Sequence, residues 1–171
     1  ADQIVNGVSK VRHKFGDGFP VPIVLRVRIS PHTGYGSQHS GDPSALFGMF
    51  PGWRIAMPST AFDYIGLMNS AIRCNDPVVV FEHTAFYQRE FEVPAGDRDF
   101  CIPFGSARIV KQGSACTVLA TSVMVQNAVE QLAQRRMGRH GQVGRHGPRG
   151  FALDIQMRAV LHIGNRSVHA P

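Results

Sequence analysis

The sequence predicts an α/β protein with a mostly parallel sheet flanked by helices. Strands that are buried on both faces are rich in Val, Ile and Leu. Two short runs have this composition, residues 22–29 (PIVLRVRI) and residues 78–81 (VVVF). Between them lies an amphipathic segment, residues 60–73, so that strands and a helix alternate along the chain. With 171 residues, 43% of them hydrophobic, the chain can build one packed core and part of another.

Three shorter elements are predicted in the N-terminal half. Residues 2–14 carry Ile and Val at helical spacing and predict an amphipathic helix. The Asp-Pro pair at 42–43 is typical of a helix start, so residues 43–50 are predicted to form a short helix. Residues 53–57 (WRIAM) predict a short strand that ends at the following proline.

The long helix 60–73 has the clearest boundary signals. Ser59 or Thr60 is predicted as its N-cap, and Thr60 with Asp63 forms a capping-box-like pair, with Asp in place of the usual Glu. The sequence CNDP at 74–77 ends the helix, and the buried strand that follows, residues 78–81, finishes at Glu82-His83.

The second half begins with an irregular segment. Residues 84–106 have mixed charge, two prolines and little periodicity, and are predicted to be a linker on the surface. Residues 107–111 and 116–121 predict two strands, and residues 123–134 predict a helix. This succession is the start of a second α/β unit.

The composition changes abruptly after Gln134. The tail, residues 135–171, holds seven arginines and one acid, which equals the whole net charge of +6, and it contains GRHG twice. Such a composition predicts a largely disordered tail, although residues 151–163 recover some helical periodicity. Arginine with glycine can bind phosphates nonspecifically, but the tail shows no recognisable binding fold, and the sequence does not favour a nucleic-acid role.

Several classes of protein are excluded by what the sequence lacks. No run approaches 18 apolar residues, so no membrane span is expected, and the first residues do not have the pattern of a secretory signal. Three widely spaced cysteines without a CxxC pair indicate reduced thiols, which predicts a cytoplasmic protein.

The strongest candidate for chemistry is the loop after the first predicted strand, because open α/β sheets bind ligands at the carboxyl ends of their strands. Its glycines surround the sequence SQHS, which presents His39. An imidazole can exchange protons near neutral pH and donate to a developing oxyanion, although an isolated His-Ser pair is also compatible with an ordinary surface histidine. No Asp is placed for a catalytic triad, and His32 and His83 lack the spacing of a zinc site.

Five segments in register carry a resemblance to a known family. They are FPVPIVLR (19–26), SQHS (37–40), ALFGMFPGWRIAMPST (45–60), DYIGLMNSAIRCNDPVVVFEH (63–83) and IPFGSARIVKQGSACTVLATSVMV (102–125). In order and spacing they resemble the beta subunit of the thiamine-diphosphate-dependent 2-oxoacid dehydrogenases, the pyruvate, branched-chain and acetoin dehydrogenase group. The resemblance implies a partial transketolase-like pyrimidine-binding domain at residues 1–100 and the start of a transketolase C-terminal domain at 101–134.

The resemblance implies oxidative decarboxylation of a 2-oxo acid, with transfer of the acyl group to lipoyl. Thiamine diphosphate with magnesium would be shared with an alpha-type subunit that holds the diphosphate, and the lipoyl acyltransferase core would be a further partner. A homodimer or heterotetramer is expected. His39 would face the reacting carbon of the thiazolium, whereas no cofactor-binding residue is assigned in this chain. A potassium ion would bind backbone carbonyls, and the matching positions are Ile23, Ala71, Ile72, Cys74 and Asp76.

The sequence also departs from the family. The acid that activates the pyrimidine ring would lie upstream of the matched segment, so this chain alone is not expected to be active. The sequence RISPH at 28–32 replaces a Gly-Pro-rich turn, and Cys74 replaces an acid. The match ends after Gln134, for which a truncated gene or shifted reading frame is one hypothesis. The alternative to an enzyme part is therefore an inactive assembly module that binds an alpha-type partner or itself.

Overall fold

The computed structural model describes residues 1–16, 18–31, 34–114, 116–138, 155–160 and 162–163. The strands in this part of the chain are β1 (Val24–Ile29), β2 (Arg54–Ala56), β3 (Val78–His83), β4 (Ala107–Lys111), β5 (Cys116–Ala120), β6 (Ile155–Val160) and β7 (His162–Ile163). The α-helices are α1 (Ser9–Phe15), α2 (Ser44–Gly48), α3 (Ala61–Ile72) and α4 (Val123–Gly138). A π-helical turn, Gln3–Val8, precedes α1, and a 3₁₀ turn, Thr84–Phe86, follows β3.

The first sheet has the strand order β1-β3-β2-β7. β1 and β2 both pair in parallel with β3, whereas β7 pairs antiparallel with β2. Val24 lies opposite Val78, and Ile29 lies opposite His83. The carboxyl ends of β1, β2 and β3 therefore meet at one edge of the sheet. The predicted α/β fold with a mostly parallel sheet is confirmed.

Both faces of β3 are covered, as its apolar composition predicts. The same prediction is wrong for β1, because Arg26 and Arg28 lie exposed on one of its faces. The side chains of β3 alternate between two cores, and Val78, Val79, Val80 and Phe81 are all fully buried. On one face the core contains Leu67 and Ala71 of α3 and continues into the second unit. On the other face the core contains Phe47 of α2 and Trp53, with Val8 packed against it.

The N-terminal helix lies where residues 2–14 predict it, and it approaches the turn before β2 closely. The indole Nε1 of Trp53 donates to the carbonyl of Ile4 at 3.1 Å. Gly52 has a φ of +113°, and a Cβ there would lie 1.6 Å from the carbonyl oxygen of Ser9. Only glycine fits this contact, because any side chain would collide with the helix backbone.

Only one of the two hydrogen bonds of the predicted capping box forms at the start of α3. The hydroxyl of Thr60 accepts the backbone N–H of Asp63 at 3.1 Å, as an N-cap should. The carboxylate of Asp63 binds Ser59 and not the backbone of Thr60: it accepts the Ser59 hydroxyl at 2.7 Å and its N–H at 3.3 Å. The Asp side chain is one methylene shorter than the Glu of a capping box, and Ser59 lies within its reach.

The segment 84–106 runs along α3. The side-chain amide of Asn69 donates to the carbonyls of Arg98 and Phe100 at 2.7 and 2.9 Å, and the hydroxyl of Ser70 donates to that of Ile102 at 2.6 Å. These polar side chains of the helix hold a segment that has almost no regular structure of its own.

The second sheet has the order β4-β6-β5. β4 and β5 begin where the sequence predicts them, but β6 lies between them, antiparallel to β4 and parallel to β5. The helical periodicity assigned to residues 151–163 is wrong for 155–160 and 162–163, which are strands. The sequence IQMRAV also alternates between apolar and polar residues, and pairing with two strand edges favours the extended form. The disorder predicted for the rest of the tail falls on residues 139–154, 161 and 164–171, outside the described residues.

Candidate functional site

The His39 loop follows β1 and turns back at the carboxyl edge of the first sheet. Tyr35 lies between Gly34 and Gly36, whose φ angles are +79° and +81°. The N–H of His39 donates to the carbonyl of Gly36 at 3.3 Å, which closes a turn. Since residues with a side chain rarely adopt such φ values, the two glycines fix where the loop presents Tyr35 and His39.

The His39 pocket has a volume of about 450 Å³ and is lined by Arg28, Gln38, His39, Gly41, Asp42 and Pro43. The guanidinium of Arg28 lies over the ring of Tyr35, 5.7 Å from its centroid. The carboxylate of Asp42 accepts the N–H of Ser44 at 2.9 Å, at the start of α2. An imidazole, a guanidinium and a carboxylate therefore share one open pocket.

A second pocket at the same edge, the Glu82 cleft, has a volume of about 520 Å³ and several aromatic walls. Its lining consists of Arg26, Pro58, Thr60, Ala61, Tyr64, Ile65, Glu82, His83, Phe86, Tyr87, Arg89 and Phe91. These residues come from the middle of β1, from the turn between β2 and α3, from the end of β3, from the first turns of α3 and from the segment after β3. An apolar cleft with a few convergent polar groups is the usual form of a binding site.

Glu82 is held by three side chains. Arg26 binds both of its oxygens, with the Nη2–Oε2 distance at 3.0 Å, and the hydroxyls of Tyr64 and Tyr87 donate at 2.9 and 3.4 Å. Burial raises the pKa of Glu82, but the hydrogen bonds and the charge of Arg26 outweigh it, so the pKa is below its ordinary value. Burial and the bond to this carboxylate raise the pKa of Tyr64 to about 12. Glu82 is thus a fixed anion whose acceptor sites are occupied.

Several of the residues predicted to bind potassium lie close to one another. The N–H of Val21 donates to Asn75 O at 2.8 Å, and the N–H of Val78 donates to Ile23 O at 2.9 Å, so Ile23 lies beside residues 74–78. Ala71 O accepts the N–H of Cys74 at 3.2 Å. Carbonyl oxygens at the end of a helix can bind a cation through their remaining lone pairs, and the potassium site stays a prediction.

The side chains near these carbonyls do not add acidic ligands. The carboxylate of Asp76 is bound by Arg12 and by Arg54, whose Nε lies 2.6 Å from Oδ2. A cation here would therefore have to use carbonyl oxygens and not this carboxylate. In the part of the chain that the structure describes, no cluster of three or more His, Cys, Asp or Glu residues could hold a metal ion.

The residues around Glu82 were not found from the sequence. In the sequence, Glu82 and His83 are recognisable only as the end of a strand, and His83 lacks the spacing of a zinc site. His83 is buried, and its Nδ1 accepts the N–H of Ala85 at 3.1 Å. Nothing in the sequence marks Arg26, Tyr64 or Tyr87 as partners of Glu82. Arg26, for example, lies 56 residues before Glu82, and only the parallel register of β1 on β3 brings the two side chains together.

Comparison with known proteins agrees with this geometry. The family profile described as the transketolase pyrimidine-binding domain matches residues 6–89. A split gene transketolase, solved as an inactive beta4 tetramer, has a TM-score of 0.62 and 15% sequence identity over 92% of this chain and 43% of its own. That likeness concerns the fold. The chain thus carries a transketolase-type pyrimidine-binding domain.

The relatives found by sequence identify a narrower group of proteins than the domain profile does. The chain is 39% identical over 132 residues to the beta subunit of acetoin:2,6-dichlorophenolindophenol oxidoreductase from Cupriavidus necator, covering 77% of this chain and 38% of that protein. It is 40% identical over 134 residues to the mitochondrial pyruvate dehydrogenase E1 component subunit beta of Homo sapiens, covering 77% and 37%. The chain is therefore related to the transketolase-like beta subunits of these dehydrogenases, and it spans less than two fifths of their length. No helix in the described residues is long and apolar enough to cross a membrane.

Proposed function

We propose that the chain is a beta-type part of a thiamine-diphosphate-dependent dehydrogenase of 2-oxo acids, in which His39 is the acid–base residue. The observation that carries the proposal is the exposed imidazole in an open pocket at the carboxyl edge of a transketolase-type sheet. Relatives that act as beta subunits of pyruvate and acetoin dehydrogenases support the reaction class.

The residues of this chain bind, orient and exchange protons. Thiamine diphosphate, when bound, supplies the electron sink for decarboxylation. His39 donates a proton to, or removes one from, the substrate oxygen beside the pocket, and the turn between Gly36 and His39 fixes its approach. We also propose that His39 positions the substrate for acyl transfer to lipoyl, the role that the matching histidine has in the family.

The carboxylate of Glu82 does not fit the role of the acid that activates the pyrimidine ring. The oxygens of Glu82 are occupied by Arg26, Tyr64 and Tyr87, and the carboxylate of Asp42 binds a helix N–H. An activating acid must hold a hydrogen bond to the ring, which the fully occupied Glu82 carboxylate does not offer, and the Asp42 carboxylate is held at the start of α2 through one of its oxygens. We propose that this acid comes from residues outside both pockets, and that an alpha-type subunit contributes the magnesium and diphosphate site.

Further partners and ions complete the proposal. The complex would be a homodimer or a heterotetramer with an alpha-type subunit, and it would pass its acyl group to a lipoyl acyltransferase core. Potassium would bind the carbonyls of Ile23, Ala71, Ile72, Cys74 and Asp76 and stabilise the end of α3. The three cysteines are free thiols, which supports a reducing compartment such as the cytoplasm.

The second candidate is an assembly module without chemistry. It is favoured by the four donors that occupy the Glu82 carboxylate and by exposed apolar side chains such as Met49 and Ile72, 74% and 63% exposed. Such a module would bind an alpha-type partner or a second copy of itself and would not need His39.

Thermal unfolding of the chain with thiamine diphosphate and magnesium, with potassium, and with a co-expressed alpha-type subunit tests the proposal. Ligands that bind the folded state raise the melting temperature by mass action. With the complete complex, His39→Gln should abolish decarboxylation and leave cofactor binding intact. His13→Gln, which removes an exposed imidazole from α1, is the matched control. Assembly with unchanged activity in His39→Gln would support the assembly module instead.

A further inference from the structure

We propose that Arg28 binds the carboxylate of the substrate in the His39 pocket, so that this pocket selects 2-oxo acids over neutral ketones such as acetoin. This inference rests on the proposed function and makes it more specific. Arg28 and His39 line the same pocket of about 450 Å³, which accommodates a small acid. A guanidinium recognises a carboxylate through two parallel hydrogen bonds.

Arg28 is available for a ligand, whereas its neighbour Arg26 is not. The two arginines alternate onto the same face of β1, and Arg28 lies directly opposite Glu82 in the register. The oxygens of Glu82 are nevertheless bound by Arg26 and by two tyrosine hydroxyls. Arg28 is exposed and forms no ion pair with any residue in the described part of the chain.

The position of Arg28 is held by the loop that also carries His39. Its guanidinium lies 5.7 Å from the ring centroid of Tyr35, which is the geometry of a cation–π contact. Tyr35 stands between two glycines with positive φ, so its backbone is fixed by the same turn that presents His39. A binding group that is already oriented loses less conformational entropy when the ligand arrives.

The negative charge of Asp42 should weaken the binding of an anion in this pocket. Its carboxylate also lines the pocket, where it accepts the N–H of Ser44 at 2.9 Å. Replacing it by Asn removes the negative charge and keeps the acceptor oxygen that this helix start requires. Arg28 and Asp42 therefore give opposite predictions for the same ligand.

The bond to Arg28 should affect binding more than rate. The carboxylate leaves as neutral CO₂, so a contact to its charge stabilises the bound substrate at least as well as the transition state. In the complete enzyme, the loss of Arg28 should raise KM for the acid with a smaller change in kcat, as expected for an interaction that is made in the ground state.

The test is a titration of the full 171-residue chain with sodium pyruvate and with acetoin at constant ionic strength, followed by the amide NMR signals of residues 34–42. Pyruvate should bind about tenfold more tightly than acetoin, because one charge-assisted contact contributes roughly that factor. Arg28→Gln should weaken pyruvate binding about tenfold and leave acetoin unchanged. Asp42→Asn should strengthen pyruvate binding, and Arg98→Gln, which removes an exposed charge outside both pockets, should change neither ligand.

Equal affinity for pyruvate and acetoin, no binding of either, or unchanged pyruvate binding in Arg28→Gln would each overturn the inference. The gain expected for Asp42→Asn does not depend on the folding of the arginine variant. If thiamine diphosphate stabilises the chain while Arg28→Gln binds pyruvate normally, the proposed function stands and the role of Arg28 fails. If pyruvate binding depends on Arg28 but the complete complex shows no decarboxylation, the anion site stands without the enzyme.

Discussion

Removing the carboxylate of Asp63 should strongly destabilise the protein, because this group joins the two α/β units. Asp63 and Ser59 are both fully buried. The Asp63 carboxylate accepts the hydroxyl and the N–H of Ser59, and Arg108 of β4 lies 3.4 Å from both of its oxygens. Gln126 of α4 donates to the carbonyl of Ser59 at 2.9 Å, so three contacts from different elements meet at the turn before α3.

The size of the effect follows from the donors that lose their partner. Asp63→Ala leaves two buried donors of Ser59 unsatisfied, and each costs about 1–3 kcal/mol. Arg108 is 44% exposed, so water solvates its charge and adds little to the loss. We expect a decrease of about 3–4 kcal/mol in the free energy of unfolding. Asp63→Asn keeps one acceptor oxygen and should cost about half of that.

Urea unfolding followed by circular dichroism measures these differences as changes in the transition midpoint at constant slope. Arg108→Met is the matched control, because it removes the partly exposed partner and should cost less than about 1 kcal/mol. The reasoning is refuted if Asp63→Ala lies within about 1 kcal/mol of the wild type, below the cost of even one unsatisfied donor. It is also refuted if Arg108→Met costs as much as Asp63→Ala, since the ion pair and not the bonds to Ser59 would then dominate.

Four further predictions concern the backbone and the Glu82 cleft. Gly36→Ala should cost about 1–2 kcal/mol because of its φ of +81°, while Gly41→Ala, in open space without a positive φ, should be neutral in the same urea experiment. The pKa of Tyr64 is raised from 10.0 to about 12, so the stability that it contributes is fully present below pH 10 and lost as the pH rises through the folded-state value. Tyr64→Phe should therefore be less stable than wild type at pH 7 and equal to it above about pH 12, and a difference that persists there contradicts the assignment. Glu82 has a lowered pKa, so its contribution is present above 4.5, and the stability difference between wild type and Glu82→Gln should shrink as acid is added. Ser122→Gly should stabilise the chain by about 1 kcal/mol, because Ser122 has a φ of +48° and a buried hydroxyl without a partner in the described residues; a lower unfolding midpoint would count against this.

The sequence predicted the parts of the fold that depend on neighbouring residues. The strand at 78–81 could be found because burial on both faces requires continuous apolar residues, and the strand at 22–29 could be found from its Ile, Val and Leu although one of its faces is exposed. The N-cap of α3 could be narrowed to Ser59 or Thr60 because a cap forms within one helical turn, and the structure has Thr60. His39 could be placed at the sheet edge because a loop that follows a parallel strand must lie there.

The tertiary structure decided the contacts between distant residues. Asp63 contacts Arg108 because the second unit packs on α3, and no pattern near Asp63 encodes that partner. β6 became a strand because β4 and β5 offered their edges, although its sequence also fits a helix. Glu82 acquired Arg26 because the register of β1 on β3 brings residues 56 positions apart within hydrogen-bond distance. The physical reason is that caps and apolar periods are local, whereas sheet register and packing depend on the whole chain.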